Sequence, residues 1–118
     1  MTKRLWFAVA VVSLGLIGCW QKDVGRSFYP SGKIRTEAQV KNGLLDGPAI
    51  RYFESGAKMS DAHYNAGMLN GKTTAYFESG STKAEAEYKE GVLYGDSTNW
   101  DSSGKMTSQS TFVLGVPK

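Results

Sequence analysis

Three carboxylates recur at one fixed spacing: Glu37, Asp61 and Glu85. If they occupy equivalent strands two strand spacings apart, about 9.5 Å separates neighbours. That distance lies at the upper end of the roughly 6.5–9.5 Å found between the paired acids of inverting glycosidases, so glycan hydrolysis is the chemistry to consider. Arg35 and Lys83 are interleaved with these acids. Mixed charge of this kind indicates a solvated face, and we predict that the chain is not an enzyme and has no catalytic residues.

Other reactive side chains are scarce. His63 is the one histidine and Cys19 the one cysteine of the 118 residues. A zinc site needs more nitrogen or sulfur ligands than these two supply, so we expect no metal and no cofactor. His63 lies two residues after Asp61, which on a strand places both on one face as a surface ion-pair candidate. The glycines form no phosphate-binding loop, because predicted strands separate them.

The elements that position these residues follow from a repeat. Tyr52-Phe53-Glu54-Ser55-Gly56 returns letter for letter at residues 76–80, and the same frame holds at 28–32 and 100–104. Four copies at one fixed spacing predict a repeat protein.

Each repeat has the pattern of a β-hairpin. All glycines after Gly25 fall into three columns: Gly32, Gly56, Gly80 and Gly104; Gly43, Gly67, Gly91 and Gly115; Gly47, Gly71 and Gly95. Glycine at fixed offsets marks tight turns. Between them Ile34, Thr36, Ala38 and Val40 alternate with charged residues, as in a half-buried strand. We predict an all-β fold, a single extended antiparallel meander of 24-residue hairpin repeats with about eight short strands over residues 28–118.

Aromatic pairs in each repeat suggest a binding surface. If Phe28, Tyr52, Tyr76 and Trp100 face the core, then Tyr29, Phe53 and Phe77 form a second row facing outwards. Contiguous exposed aromatic residues often mark an interface. We predict that this row, flanked by Arg51 and Lys58, binds a protein partner. The alternative is that the sheet curls, or that Met59 and lysine stems cover the row.

The N-terminus has the features of a secretory signal. Lys3 and Arg4 precede the thirteen-residue run Leu5–Ile17, which has only Ser13 as a polar residue. Thirteen helical residues reach about 20 Å, too short for a bilayer core of about 30 Å. We therefore predict a signal peptide over residues 1–18. Its removal takes away Lys3 and Arg4 and leaves 12 basic against 11 acidic residues. The near-neutral remainder argues against binding to nucleic acid.

Leu16-Ile17-Gly18-Cys19 resembles the lipobox of bacterial lipoproteins. The resemblance implies cleavage before Cys19, acylation of that cysteine and attachment to the membrane through residues 19–27, a lipidated N-terminus and short tether. In such lipoproteins a residue other than aspartate after the cysteine, here Trp20, goes with delivery to the outer membrane of enteric-type bacteria. We therefore expect a lipoprotein on the periplasmic face of the outer membrane.

The repeats resemble the variant form of the MORN repeat family. Residues 64–71, Tyr-Asn-Ala-Gly-Met-Leu-Asn-Gly, and residues 88–95, Tyr-Lys-Glu-Gly-Val-Leu-Tyr-Gly, carry the resemblance, which covers residues 28–115. Together with the lipobox and the aromatic row, it leads us to predict a non-catalytic, lipid-anchored scaffold that binds an envelope protein through its sheet surface. An antitoxin or immunity protein of the YwqK type is the alternative, and a cell-wall glycan hydrolase is a distant one. The last copy has Asp101 in place of an aromatic residue, which we interpret as capping.

Overall fold

A computed structural model describes residues 22–118. The predicted signal peptide, Cys19 and Trp20 lie outside the described residues. The chain forms ten strands: β1 (Asp23–Phe28), β2 (Ile34–Lys41), β3 (Leu44–Tyr52), β4 (Lys58–Asn65), β5 (Met68–Leu69), β6 (Gly71–Tyr76), β7 (Thr82–Lys89), β8 (Val92–Trp100), β9 (Met106–Val113) and β10 (Val116–Pro117). Within residues 22–118 there is no helix long and apolar enough to cross a membrane.

The strands make one antiparallel sheet in the order β1-β2-β3-β4-β6-β7-β8-β9-β10, with β5 pairing with β4. Neighbours in the sheet are neighbours in sequence, which is the predicted meander. β5 and β10 have only two residues each, and the other eight strands have six to nine. The all-β prediction and the hairpin repeat are confirmed.

The sheet begins at Asp23 rather than at residue 28, so β1 includes residues that we predicted to be tether. β1 pairs with β2 from Asp23 opposite Val40 to Phe28 opposite Ile34. Backbone pairing needs no apolar side chain, and the polar composition of the segment therefore concealed a strand.

Two kinds of turn alternate along the chain and lie at opposite ends of the strands. We call the side of the sheet that carries the Ser-Gly turns the Ser–Gly edge, and the side that carries the Asn42-Gly43 type of turn the Asn–Gly edge. On the Ser–Gly edge the four turns begin at Tyr29, Phe53, Phe77 and Asp101. In the first, the Tyr29 N–H donates to the Lys33 carbonyl and the Gly32 N–H to the Tyr29 carbonyl, both at 2.8 Å, and the other three repeat this pattern. On the Asn–Gly edge the turns are Asn42-Gly43, Ala66-Gly67, Glu90-Gly91 and Leu114-Gly115, with positive φ at both residues. Positive φ at both central residues is typical of two-residue type I′ hairpin turns.

Ala66 is strained because its φ of 49° lies in the left-handed region. Asparagine tolerates this region better than alanine, and Asn42 occupies the same position of the preceding repeat with a φ of 53°. We expect Ala66→Asn to raise the free energy of unfolding by roughly 0.5–1 kcal/mol. Chemical denaturation of the full chain measures this change. Asn42→Ala should lower the free energy of unfolding by a similar amount. Equal free energies of unfolding for the wild-type chain, Ala66→Asn and Asn42→Ala would show that Ala66 is not strained.

The sheet has two distinct faces. On the carboxylate face, Glu37, Asp61 and Glu85 form one cross-strand row, in which they alternate with Ile50, Thr74 and Thr98. On the alanine face a parallel row contains Ala38, Ala49, Ala62, Thr73 and Ala86. The acids thus stand two strands apart, as the sequence predicted.

The core that Phe28, Tyr52, Tyr76 and Trp100 were expected to face is not formed within residues 22–118. No hydrophobic side chain is buried within residues 22–118, and Thr74 and Thr98, exposed by 6% and 7%, are the buried polar residues. The molecule measures 51 × 33 × 15 Å, and its radius of gyration of 17.6 Å exceeds the roughly 13 Å of a compact 100-residue domain. A single sheet has no second layer to cover either face, so side chains on both faces stay partly solvated.

Successive repeats are coupled along the Asn–Gly edge. The N–H groups of Gly67, Gly91 and Gly115 donate to the carbonyls of Leu45, Leu69 and Leu93 at 2.7–2.8 Å. The side chains of these three leucines are only half-buried. Leu44, Met68 and Val92 lie against the same glycines. The leucine column therefore holds neighbouring turns together through its backbone.

Candidate functional site

The predicted aromatic row lies on the Ser–Gly edge. Tyr29, Phe53 and Phe77 are the first residues of three consecutive turns and are all half-buried. The Tyr29 hydroxyl donates to the Tyr52 carbonyl at 2.7 Å, which ties the first repeat to the second. Phe53 and Phe77 carry no polar group that could make such a bond. The structure therefore gives Tyr29 a role in packing that its two equivalents do not share.

Basic side chains lie over two of these rings. The Arg35 guanidinium is 5.9 Å from the centre of the Tyr29 ring, and the Lys83 ammonium is 5.7 Å from that of Phe77. Met59 occupies the equivalent position of the middle repeat. The aromatic row is therefore partly covered. It is neither fully exposed, as a free binding row would be, nor fully covered by neighbouring side chains, and these were the two alternatives from the sequence.

The two predicted flanking cations lie apart from each other. Arg51 is exposed and lies opposite Thr36 on β2 and Ser60 on β4. These three residues form the cross-strand row beside the row of alanines. Lys58 is also exposed, but its ammonium contacts Asp61 and the Tyr76 ring on the carboxylate face. Arg51 and Lys58 therefore do not form one basic patch beside the aromatic row.

Each of the three recurring acids has a basic neighbour. The distances are 2.6 Å from Arg26 Nε to Glu37 Oε2, 3.5 Å from Lys58 Nζ to Asp61 Oδ2, and 3.8 Å from Lys72 Nζ to Glu85 Oε1. The partners of Asp61 are Lys58 and Tyr76, and the expected ion pair with His63 is not formed. Residues 22–118 contain no group of acids, histidine and cysteine that could hold a metal ion.

Tyr76 connects the aromatic column to the acids. Its hydroxyl donates to Asp61 Oδ2 at 2.9 Å, so this ring lies on the carboxylate face and not on the face of the alanines. Partial burial, and then the hydrogen bond and negative charge of Asp61, raise the pKa of Tyr76 above its ordinary value.

The last turn replaces the aromatic residue with a carboxylate that stabilises the turn itself. Asp101 Oδ1 accepts from the Ser103 hydroxyl at 2.6 Å and from the N–H groups of Ser103 and Lys105 at 2.9 and 3.0 Å. The Ser103 hydroxyl is the main cause of a lowered Asp101 pKa. Asp101 thus closes the final turn through hydrogen bonds and leaves the aromatic row with three members.

Trp100 borders two depressions on the carboxylate face that the sequence did not predict. One, of 280 Å³, is lined by Ser81, Thr82, Glu85, Trp100 and Gly104. The other, of 330 Å³, also contains Glu85 and Trp100, with Lys72, Glu87 and Asp96 among its lining residues. The available signal was a variable column: Ile34, Lys58, Thr82 and Met106 occupy equivalent positions of the four copies.

Comparison with known families agrees with this geometry. The model of the MORN repeat variant matches residues 24–42 and 69–90, which cover β1–β2 with its following turn and β6–β7. No curated protein matches the chain. Among solved structures, the chain is similar to one described as "Crystal structure of accessory secretory protein 1,2 and 3 in Streptococcus pneumoniae", at 13% identity and a TM-score of 0.45. That match covers 79% of this chain but only 18% of the other.

The matched segments fall on hairpin strands and on the recurring Ser–Gly and Asn–Gly turns of the sheet. Two segments of the chain therefore match the MORN repeat variant.

Proposed function

We propose that this chain is a non-catalytic, lipid-anchored protein of the bacterial envelope that binds a protein partner along the Ser–Gly edge of its sheet. The MORN repeat family supports the general role of a β-repeat protein-binding module. The lipid anchor, the location in the bacterial envelope and the binding of a partner at the Ser–Gly edge are our proposals.

One observation carries the proposal: the sheet is one layer thick and leaves its apolar side chains accessible. Eleven large hydrophobic side chains are exposed and none is buried within residues 22–118. Apolar surface that folding leaves in contact with water is available for association. A partner that covers part of the sheet would supply the second layer that the chain lacks.

The Ser–Gly edge is the better candidate of the two edges. On the opposite edge, the carbonyls of Leu45, Leu69 and Leu93 already accept hydrogen bonds from the glycine turns of the following repeats. Phe53 and Phe77 make no comparable hydrogen bond or backbone bridge, and Lys83 adds a positive charge beside Phe77. Aromatic residues, phenylalanine included, are enriched in protein interfaces relative to the rest of the surface.

The anchor can be tested separately. We expect Cys19→Ser to release the full chain from membranes, because it removes the sulfur that would carry acyl chains. Membrane fractionation measures the release, and mass spectrometry of the wild-type N-terminus should find a diacylated or triacylated cysteine. A soluble wild-type chain with a free N-terminus would contradict the anchor and leave the binding proposal standing.

A further inference from the structure

One repeat contains a lysine site that is filled by the chain itself. The Lys58 ammonium lies 3.5 Å from Asp61 Oδ2 and 5.9 Å from the centre of the Tyr76 ring. The Tyr76 hydroxyl donates to the same carboxylate oxygen at 2.9 Å. A carboxylate and an aromatic ring therefore hold one ammonium between them, and ion pairing and cation–π attraction both favour it there.

The following repeat keeps the carboxylate and the ring but lacks the lysine. At the three equivalent positions of that repeat stand Thr82, Glu85 and Trp100. Indole is the best of the aromatic rings for binding a cation. In the described part of the chain the rings with a cation above them are those of Tyr29, Tyr76, Phe77 and Tyr94. No lysine or arginine of residues 22–118 lies over Trp100.

An open depression marks the place of the missing side chain. It has a volume of 280 Å³ and is lined by Thr82, Glu85 and Trp100 together with Ser81 and Gly104. Lys72 reaches Glu85 only at 3.8 Å and at Oε1, which leaves the other carboxylate oxygen available. Threonine is shorter than lysine, so the volume that Lys58 fills in one repeat stays empty in the next.

We propose that the depression between Thr82, Glu85 and Trp100 binds a lysine side chain of the protein partner. This inference rests on the proposed function and assigns chemistry to its partner: a segment that presents a lysine to the Ser–Gly edge. The stem would pack on the indole while the ammonium donates to Glu85. The Phe77 N–H donates to the Ser81 carbonyl at 2.8 Å, so the depression adjoins the turn that carries Phe77.

The test uses the full chain in detergent micelles and a small probe, Nα-acetyl-lysine methylamide. The Trp100 indole N–H is followed by nuclear magnetic resonance and assigned with Trp100→Phe. We expect a saturable shift with the probe and none with its Nε-acetyl analogue, which lacks the charge. Glu85→Gln should weaken binding by up to about fivefold, the range of an exposed ion pair.

Thr82→Lys is the decisive variant, because it rebuilds the Lys58 arrangement and fills the depression from within. We expect it to abolish the probe-induced shift. Thr82→Ser, which keeps the depression open, and Thr107→Lys, which adds the same charge on β9 outside it, should bind the probe as the wild-type chain does. Loss of binding in Thr107→Lys would assign the effect to net charge and overturn the proposal.

Three other results would also overturn it: no saturable shift of Trp100, equal shifts with the Nε-acetyl analogue, or a shift that grows with protein concentration without probe, which would assign the site to a second copy. Partner capture separates this inference from the proposed function. If the wild-type chain captures no partner, the proposed function fails. If Thr82→Lys captures the partner as well as wild type does, the lysine site fails and the binding edge stands.

Discussion

A chain carrying both Phe53→Ser and Phe77→Ser is expected to lose capture of its partner by at least tenfold while it keeps its strands. The two rings are the members of the aromatic row that make no hydrogen bond to a neighbouring repeat, and both are half-buried. Complete burial of a phenylalanine contributes about 1.5–3 kcal/mol, so each half-buried ring stabilises the fold by roughly 1 kcal/mol. Circular dichroism and thermal melting should show this modest loss, and a quantitative pull-down measures the capture.

The opposite edge offers a matched control for that pair. Leu44 and Met68 also occupy equivalent positions of successive repeats, are apolar and are exposed by 50% and 47%. Leu44→Ser with Met68→Ser should leave capture unchanged, although it removes a similar amount of apolar surface. If this control loses capture equally, the interaction depends on general hydrophobicity. If Phe53→Ser with Phe77→Ser unfolds the chain, the row belongs to the fold.

Gly47→Ala is expected to lower the free energy of unfolding by about 2 kcal/mol or more, the largest single effect on stability that the sheet predicts. Gly47 has a φ of 117°, which an L-residue adopts only under strain. Its added methyl group would also lie 2.5 Å from Gln39 Oε1 and 3.3 Å from Gln39 Cβ. The amide end of Gln39 can rotate away, whereas its Cβ is fixed by β2.

Gly32→Ala separates the strain from the clash. Gly32 has a φ of 91°, but a methyl group there meets nothing within 4 Å. We expect a smaller loss, about 1 kcal/mol, from conformational strain alone. Gln39→Gly, which removes the Cβ, should restore part of the stability lost in Gly47→Ala and none of that lost in Gly32→Ala, each compared with Gln39→Gly alone. Equal losses at the two glycines in chemical denaturation would show that the contact with Gln39 is unimportant.

The fold was predictable because the glycines, the aromatic pairs and the acids all recur at the same spacing along the chain. Glycines at fixed offsets define the turns, and strands such as Ile34–Lys41 alternate with period two. The faces were harder to predict. Alternation distinguishes two sides of a strand but does not say that either is covered, and here neither is. Threonines beside acids, Thr74 and Thr98, became the most buried side chains because neighbouring strands flank them in the middle of the row.

The candidate site was predictable only in part. The recurrence of Phe53 and Phe77 predicted that they occupy equivalent positions, and each begins a turn on the Ser–Gly edge. Lys58 was misplaced because a β-bulge between Arg51 and Tyr52 sets it opposite Tyr52. The depression beside Trp100 escaped prediction because it depends on a variable position, at which Ile34, Lys58, Thr82 and Met106 follow one another in successive copies. In this chain the constant positions determine the fold, and the variable ones determine where the surface differs between repeats.

The most direct test of partner binding on the Ser–Gly edge is site-specific photocrosslinking of the full chain in its own envelope. A photoreactive phenylalanine analogue is placed in turn at Phe53, at Phe77 and at Met68. We expect one discrete adduct, of the same mass, at Phe53 and at Phe77, and we expect no such adduct at Met68. The same adduct at Met68, or none at Phe53 and Phe77, would contradict partner binding on the Ser–Gly edge.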